Sequence, residues 1–161
     1  MIVIVMGVAG AGKTAVGSRL ADALGWSFYD ADDLHPAGNI RKMTSGIPLS
    51  DEDRRPWLES LLSLVADCGK RGENAVLACS ALRQAYRDTL TSAGVETVTV
   101  YLKADPSLAR ERLSSRRGHY MPAQLLDSQY EILEEPDRAI VVPAEWAPGR
   151  IVETILASLR V

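Results

Sequence analysis

The sequence predicts an α/β protein: a parallel sheet with helices on both faces. Two observations carry that class. Short apolar runs rich in β-branched residues, the first being Met1 to Met6, have the look of strands buried on both faces. Each is followed by a segment whose apolar residues recur at helical spacing, and such alternation argues for helices covering a parallel sheet. A chain of 161 residues suits one domain with its own core. No repeat, low-complexity tract or linker divides it, so residues 1–161 are read as a single domain.

The elements follow in order. Met1 to Met6 is the first strand, and Gly7 to Gly12 breaks it. From Lys13 onward, Val16, Leu20 and Ala23 or Leu24 share a helical face, with Gly25 as the stop. Ser27-Phe28-Tyr29 is a short second strand that ends at Asp30, Asp32 and Asp33. His35 to Leu49 holds Pro36, Gly38, Gly46 and Pro48 and reads as turns. Ser50 or Asp51 can cap a helix carrying Trp57, Leu58, Leu61, Leu62 and Val65, with Pro56 tolerable only near its first turn. Ala75 to Cys79 is a third strand, and a helix around Arg83 to Leu90 follows. Val95 to Leu102 is the fourth strand, and Pro106 opens a helix that runs to about Ser115. Arg116 to Pro122 is basic and irregular, with a short helix at Leu125 and Leu126 after it. Ala139 to Val142 is a fifth strand. The last helix sets Ile151, Val152, Ile155, Leu156 and Leu159 at helical spacing.

Composition excludes several classes. Hydrophobic residues at 47% and charged residues at 24% are ordinary for a globular protein. A net charge of -3 gives no general attraction to nucleic acid or to an anionic membrane. Cys68 and Cys79 are too few for a disulfide framework and form no metal-binding pattern, so both are read as reduced thiols. The apolar start is too short for a signal peptide, and no stretch approaches the ~20 apolar residues of a membrane span. The expected location is cytoplasmic.

Chemistry first appears at Gly7-Val8-Ala9-Gly10-Ala11-Gly12-Lys13-Thr14, a full match to G-x-x-x-x-G-K-[ST] between a strand and a helix. Glycines let the backbone curl so that its N–H groups face phosphates. Lys13 supplies a cation to the β- and γ-phosphates, and the Thr14 hydroxyl can ligate magnesium. The helix start adds its positive dipole end. The class is therefore a P-loop NTPase fold. Neither Asn39 nor Asn74 begins the N-K-x-D motif of a GTP switch, and Asp22-Ala-Leu-Gly25 falls inside the first helix. A compact chain of this size suits a kinase acting on a small molecule.

Asp30 and Asp32 follow the second strand, at the sheet edge where ligands of open α/β folds bind. One can hold magnesium through water while the other accepts the proton of an attacking hydroxyl. Taken alone, the pair is equally readable as a solvated acidic turn. Arg112 and Arg116 lie four apart on one helix face. One guanidinium can stack on adenine while the other reaches the transferring phosphoryl group.

Together these motifs resemble the gluconate kinases of the shikimate-kinase-like P-loop group. The matching residues include Asp30-Ala31-Asp32-Asp33-Leu34-His35-Pro36, Asn39-Ile40-Arg41-Lys42-Met43, Gly46-Ile47-Pro48-Leu49 and Asp51-Glu52-Asp53-Arg54-Arg55-Pro56-Trp57-Leu58. Cys79-Ser80-Ala81-Leu82, Tyr86-Arg87-Asp88, Arg116-Arg117-Gly118-His119-Tyr120-Met121-Pro122 and Leu125 to Gln129 extend the match to Leu133-Glu134-Glu135-Pro136. Ala31, Arg83 and Tyr120 depart from the Gly, Lys and Phe common in the family. The resemblance implies ATP, magnesium and D-gluconate as reactants, a five-stranded parallel sheet, a lid over about 116–136, and a homodimer as an option. It assigns Lys13, Asp32 and Arg116 to catalysis, Thr14 and Asp30 to the metal, and Arg112 and Arg116 with the loop 7–14 to the nucleotide. Asp32, His35, Arg54, Ser80, Arg83, Arg87, His119 and Gln129 are its substrate residues. Arg54, Arg83 and Arg87 all offer a bidentate grip on a carboxylate. Trp57 and Met43 read as packing residues. Shikimate kinase activity, or a nucleotide-binding regulator without phosphotransfer, are the alternatives.

Overall fold

Five parallel strands form the centre of the molecule, a computed structural model that describes residues 1–116, 122 and 125–159. They are β1 (Ile2–Met6), β2 (Ser27–Asp30), β3 (Ala75–Ala78), β4 (Thr97–Lys103) and β5 (Ile140–Pro143), in the spatial order β2-β3-β1-β4-β5. Seven helices connect and cover them: α1 (Lys13–Leu24), α2 (Ala37–Thr44), α3 (Asp51–Lys70), α4 (Gln84–Thr91), α5 (Pro106–Ser115), α6 (Leu126–Ile132) and α7 (Pro148–Leu159). A 3-10 turn spans Ala31–Leu34. The chain passes from β3 to β4 across β1, so the strand order reverses at β1 and opens a crevice at its carboxyl end. The glycine-rich loop leaves β1 at that point.

All of β1 is buried, and its alternating side chains feed two cores. Val3 and Val5 pack with Val16 and Leu20 of α1, Ile151 and Ile155 of α7, Leu113 of α5 and Leu126 of α6. Ile2, Ile4 and Met6 pack on the other face with Trp57, Leu61 and Val65 of α3 and Leu90 of α4. This two-sided burial is why the strand reads as one apolar run rather than an alternating one. Among the described residues, no helix is long and apolar enough to cross a membrane.

Two expectations change. The segment from His35 to Leu49 is not all turn, because α2 occupies its middle. Pro36 and Gly38 stand at the start of that helix and Gly46 (φ +77°) beyond its end, so the turn residues bracket a helix instead of replacing it. Asn39 and Met43, four apart, form its buried face. Pro56 lies in the second turn of α3, where it removes a helical donor. A reciprocal capping box offsets this: the Asp53 N–H donates to the Ser50 hydroxyl, and the Asp53 carboxylate accepts from the Ser50 N–H. The remaining boundaries agree with the sequence within about two residues.

Candidate active site

The phosphate loop owes its shape to two glycines that no other residue could replace. Gly10 has φ +83°, and a Cβ there would lie 2.6 Å from the Ala109 carbonyl oxygen of α5; Gly12 has φ +95°. Lys13 folds back so that its Nζ donates to the Val8 carbonyl at 3.0 Å. Burial lowers the Lys13 pKa, and the Asp32 carboxylate, the Cys79 thiol and Asp30 oppose that shift. Arg112 donates from Nη1 to the Gly10 and Ala11 carbonyls (3.3 and 3.2 Å) and from Nη2 to that of Ala144 at 2.8 Å. Expected from the sequence at the nucleotide, Arg112 in this structure braces the loop's own carbonyls.

The two carboxylates are not equivalent. Asp30 ends β2 and caps the 3-10 turn. Its Oδ1 accepts from the Asp32 N–H at 3.0 Å and its Oδ2 from the Thr14 hydroxyl at 2.7 Å. Both of its oxygens are therefore engaged. Asp32 lies within that turn, lines the same cleft as Lys13, and its carboxylate carries no hydrogen bond among the described residues. Arg116, the C-cap of α5, also lines the cleft.

Also lining the cleft, the His35 ring stacks on Trp57 with centroids 4.4 Å apart and planes 7° from parallel. Trp57 is held in turn by its indole N–H, which donates to the Ala31 carbonyl at 2.7 Å. Asn39 donates from Nδ2 to the Asp53 carbonyl at 2.8 Å and lies 3.2 Å from His35 Nδ1. That contact assigns Nδ1 as acceptor and leaves the proton on Nε2. Burial lowers the His35 pKa to about 4, opposed by Asp32 and assisted by Arg54. Trp57 and Met43 are buried as expected, yet both also line the cleft.

The expected arginines separate. Arg54 lines the cleft, donates to the Leu49 carbonyl at 2.8 Å and lies 5.7 Å from the Tyr86 ring centroid. Tyr86 donates its hydroxyl to Asp51 at 2.6 Å. Arg87, expected from the sequence at the substrate, does not line the cleft. It is 4% exposed, and its five N–H groups are spent on Ala81, Leu82, Glu134 and Gln84. Arg83 caps α4, does not line the cleft, and has a buried Nε without a partner among the described residues. Ser80 and Gln129 line the cleft, with Gln129 Oε1 accepting the Ala9 N–H at 2.7 Å. His119 and part of the expected lid, residues 117–121 and 123–124, lie outside the described residues. Sequence reasoning gave no role to Tyr86, Ser128 or Asn39. Asn39 lies on α2 and meets His35, two residues before that helix, a contact that the sequence alone does not signal.

A pH dependence follows from His35. In the fold it takes a proton only near pH 4, whereas its ordinary value is 6.5. On acidification the unfolded chain binds that proton first, so stability should fall between pH about 6.5 and about 4 and this component should level off below. Asp53 and Glu73, each held at about 2, add losses that begin only below their ordinary values of 3.8 and 4.5. Melting curves from pH 8 to 4 should show the early component in the native chain and not in His35→Gln. Parallel curves would contradict the assignment.

Comparison with known proteins agrees with this geometry. The family model described as "AAA domain" matches residues 2–136. The thermosensitive gluconokinase of Escherichia coli K12 is 47% identical over 133 residues, covering 83% of this chain and 71% of that protein. A gluconokinase from Sinorhizobium meliloti 1021 superposes with a TM-score of 0.87 at 42% identity, covering 98% of this chain and 90% of the other. Shikimate kinase from Aquifex aeolicus shares the fold alone, with a TM-score of 0.69 at 21% identity over 99% of this chain and 96% of that one. Identity above 40% across most of the chain, on the same five-stranded frame, makes this protein a member of the gluconokinase family.

Proposed function

We infer that this protein transfers the γ-phosphoryl group of ATP to D-gluconate, giving 6-phospho-D-gluconate and ADP. The observation that carries the reading is Asp32: an unengaged carboxylate lining one cleft together with Lys13, His35 and Arg54. Gluconokinase relatives at more than 40% identity support the substrate over shikimate, whose kinase is similar in fold only. An open acceptor beside a phosphate loop argues for catalysis and against a purely regulatory nucleotide site.

Phosphoryl transfer leaves a protein mainly positioning and charge stabilisation to perform. Asp32 orients the primary hydroxyl of gluconate and takes its proton. Lys13, the loop N–H groups and Arg116 stabilise the charge spread over the phosphoryl oxygens. Thr14 and Asp30, a hydroxyl and a carboxylate 2.7 Å apart, are hard oxygen donors suited to magnesium. Held there by Thr14 and Asp30, magnesium would supply positive charge against the phosphates. His35 donates from Nε2 to a substrate hydroxyl, and Ser80 and Gln129 add polar contacts. Arg54 takes the carboxylate. The two cysteines, both buried and unpaired, fit the cytoplasmic location that completes this reading.

The test is substrate choice in a coupled ADP assay. Glucose would leave Arg54 only its 4.0 Å contact with Asp51 in place of a substrate carboxylate, so kcat/KM for gluconate should exceed that for glucose by at least about 10²-fold. Arg54→Met should narrow that gap mainly by raising the gluconate KM. Equal turnover of glucose and gluconate by the native enzyme would overturn the assignment.

A further inference from the structure

Among the described residues, Arg87 is the one charged residue with almost no solvent exposure, 4%, and none of their ion pairs includes it. A buried cation without a counter-ion is costly unless its donors are satisfied. Arg87 satisfies its donors within two stretches of chain, residues 81–84 and Glu134. Nη1 donates to the Ala81 carbonyl at 2.7 Å and to that of Leu82 at 3.3 Å. Nη2 reaches the Glu134 carbonyl at 2.8 Å, and Nε and Nη2 both donate to Gln84 Oε1, at 3.2 and 2.8 Å.

What Arg87 joins matters more than how well it is bound. Ala81 follows Ser80 and has φ +44°, the one described non-glycine residue in the left-handed region. Such a conformation persists only when its surroundings impose it. Here the imposed turn carries Ser80 to the cleft wall. Glu134 comes just after α6, and its N–H donates to the Leu82 carbonyl at 2.8 Å, closing the same knot. From α6, Gln129 accepts the Ala9 N–H of the phosphate loop, and Ser128 lines the cleft. A continuous set of hydrogen bonds thus runs from the strained Ser80 turn through Arg87 and α6 to the loop that holds the phosphates.

We propose that Arg87 is a positioning residue for phosphoryl transfer, locking the Ser80 turn to the end of α6 so that the substrate side and the phosphate side of the cleft keep a fixed spacing. The inference rests on the kinase reading above. It requires a guanidinium, because a planar fork with five donors spans these acceptors and a lysine ammonium, a single point with three, does not. Its consequence is kinetic, since a displacement of about 1 Å between reacting groups costs about 10²-fold in rate.

The experiment compares native enzyme with Arg87→Lys, Arg87→Met and Gln84→Leu. The last removes one shared acceptor at an exposed position and leaves the core intact. Four quantities are read: Tm, ADP affinity, the kinetic constants for gluconate, and the 6-phosphogluconate formed per ATP consumed. Both Arg87 variants should lose about 10- to 10²-fold in kcat. Phosphate transferred per ATP should fall below one as water competes, while ADP affinity stays within about twofold. Lysine should not rescue. Gln84→Leu should shift the same quantities in the same direction, more weakly, and it decides the matter if the Arg87 variants fail to fold. A lower Tm with native kcat, KM and transfer ratio would reduce Arg87 to a structural brace and overturn the proposal. Absence of gluconate-dependent ADP release in the native enzyme would instead strike the activity itself.

Discussion

Asp32→Asn should lower kcat for gluconate phosphorylation by about 10²–10⁴-fold while ATP affinity changes little. The substitution keeps the shape of the side chain and removes its ability to take a proton. Its neighbour supplies the contrast. Both oxygens of Asp30 are committed, one to the Thr14 hydroxyl and one to the Asp32 N–H. Asp30→Asn should therefore act on the nucleotide and metal side, raising the magnesium concentration needed for half-maximal rate. Single-turnover rates with nucleotide binding measured separately will distinguish the two. Near-native kcat in Asp32→Asn, with a collapse in Asp30→Asn, would exchange their roles.

Lys13→Ala should reduce kcat by at least about 10³-fold and leave the fold in place. The loss is large because Lys13 acts on charge that develops at the γ-phosphate, inside a cleft where burial strengthens every charge interaction. The fold should survive because the Nζ makes one described hydrogen bond, to the carbonyl of Val8 in its own loop. The loop is held independently by Gly10 against Ala109 and by Arg112 against the Gly10 and Ala11 carbonyls. Activity assays paired with thermal melts check this: a folded variant turning over at near-native rate would remove Lys13 from the mechanism.

The phosphate loop, all five strands and six of the seven helices were legible in the sequence because each is set within a few neighbouring residues. The β-branched run of β1, the Gly-Lys-Thr step into α1, and the Ser50 cap of α3 need no distant partner to be read. The helix α2 was hidden because the residues that flank it, Pro36 and Gly46, look locally like turns. Its reason to exist is the burial of Asn39 and Met43 against the rest of the site.

The roles of like residues were decided at longer range. Asp30 and Asp32 are near neighbours, and Thr14, sixteen positions away, tells them apart. Arg54 and Arg87 look equally fit for a carboxylate, yet the carbonyls of Ala81, Leu82 and Glu134 consume one and leave the other on the cleft wall. His35 resembles a turn residue until Trp57 stacks on it and its proton affinity drops. Local propensity determined where the strands and helices lie. Which polar groups remain available to a ligand depended on which buried donors and acceptors the packed chain satisfies first, and that only the tertiary structure decided.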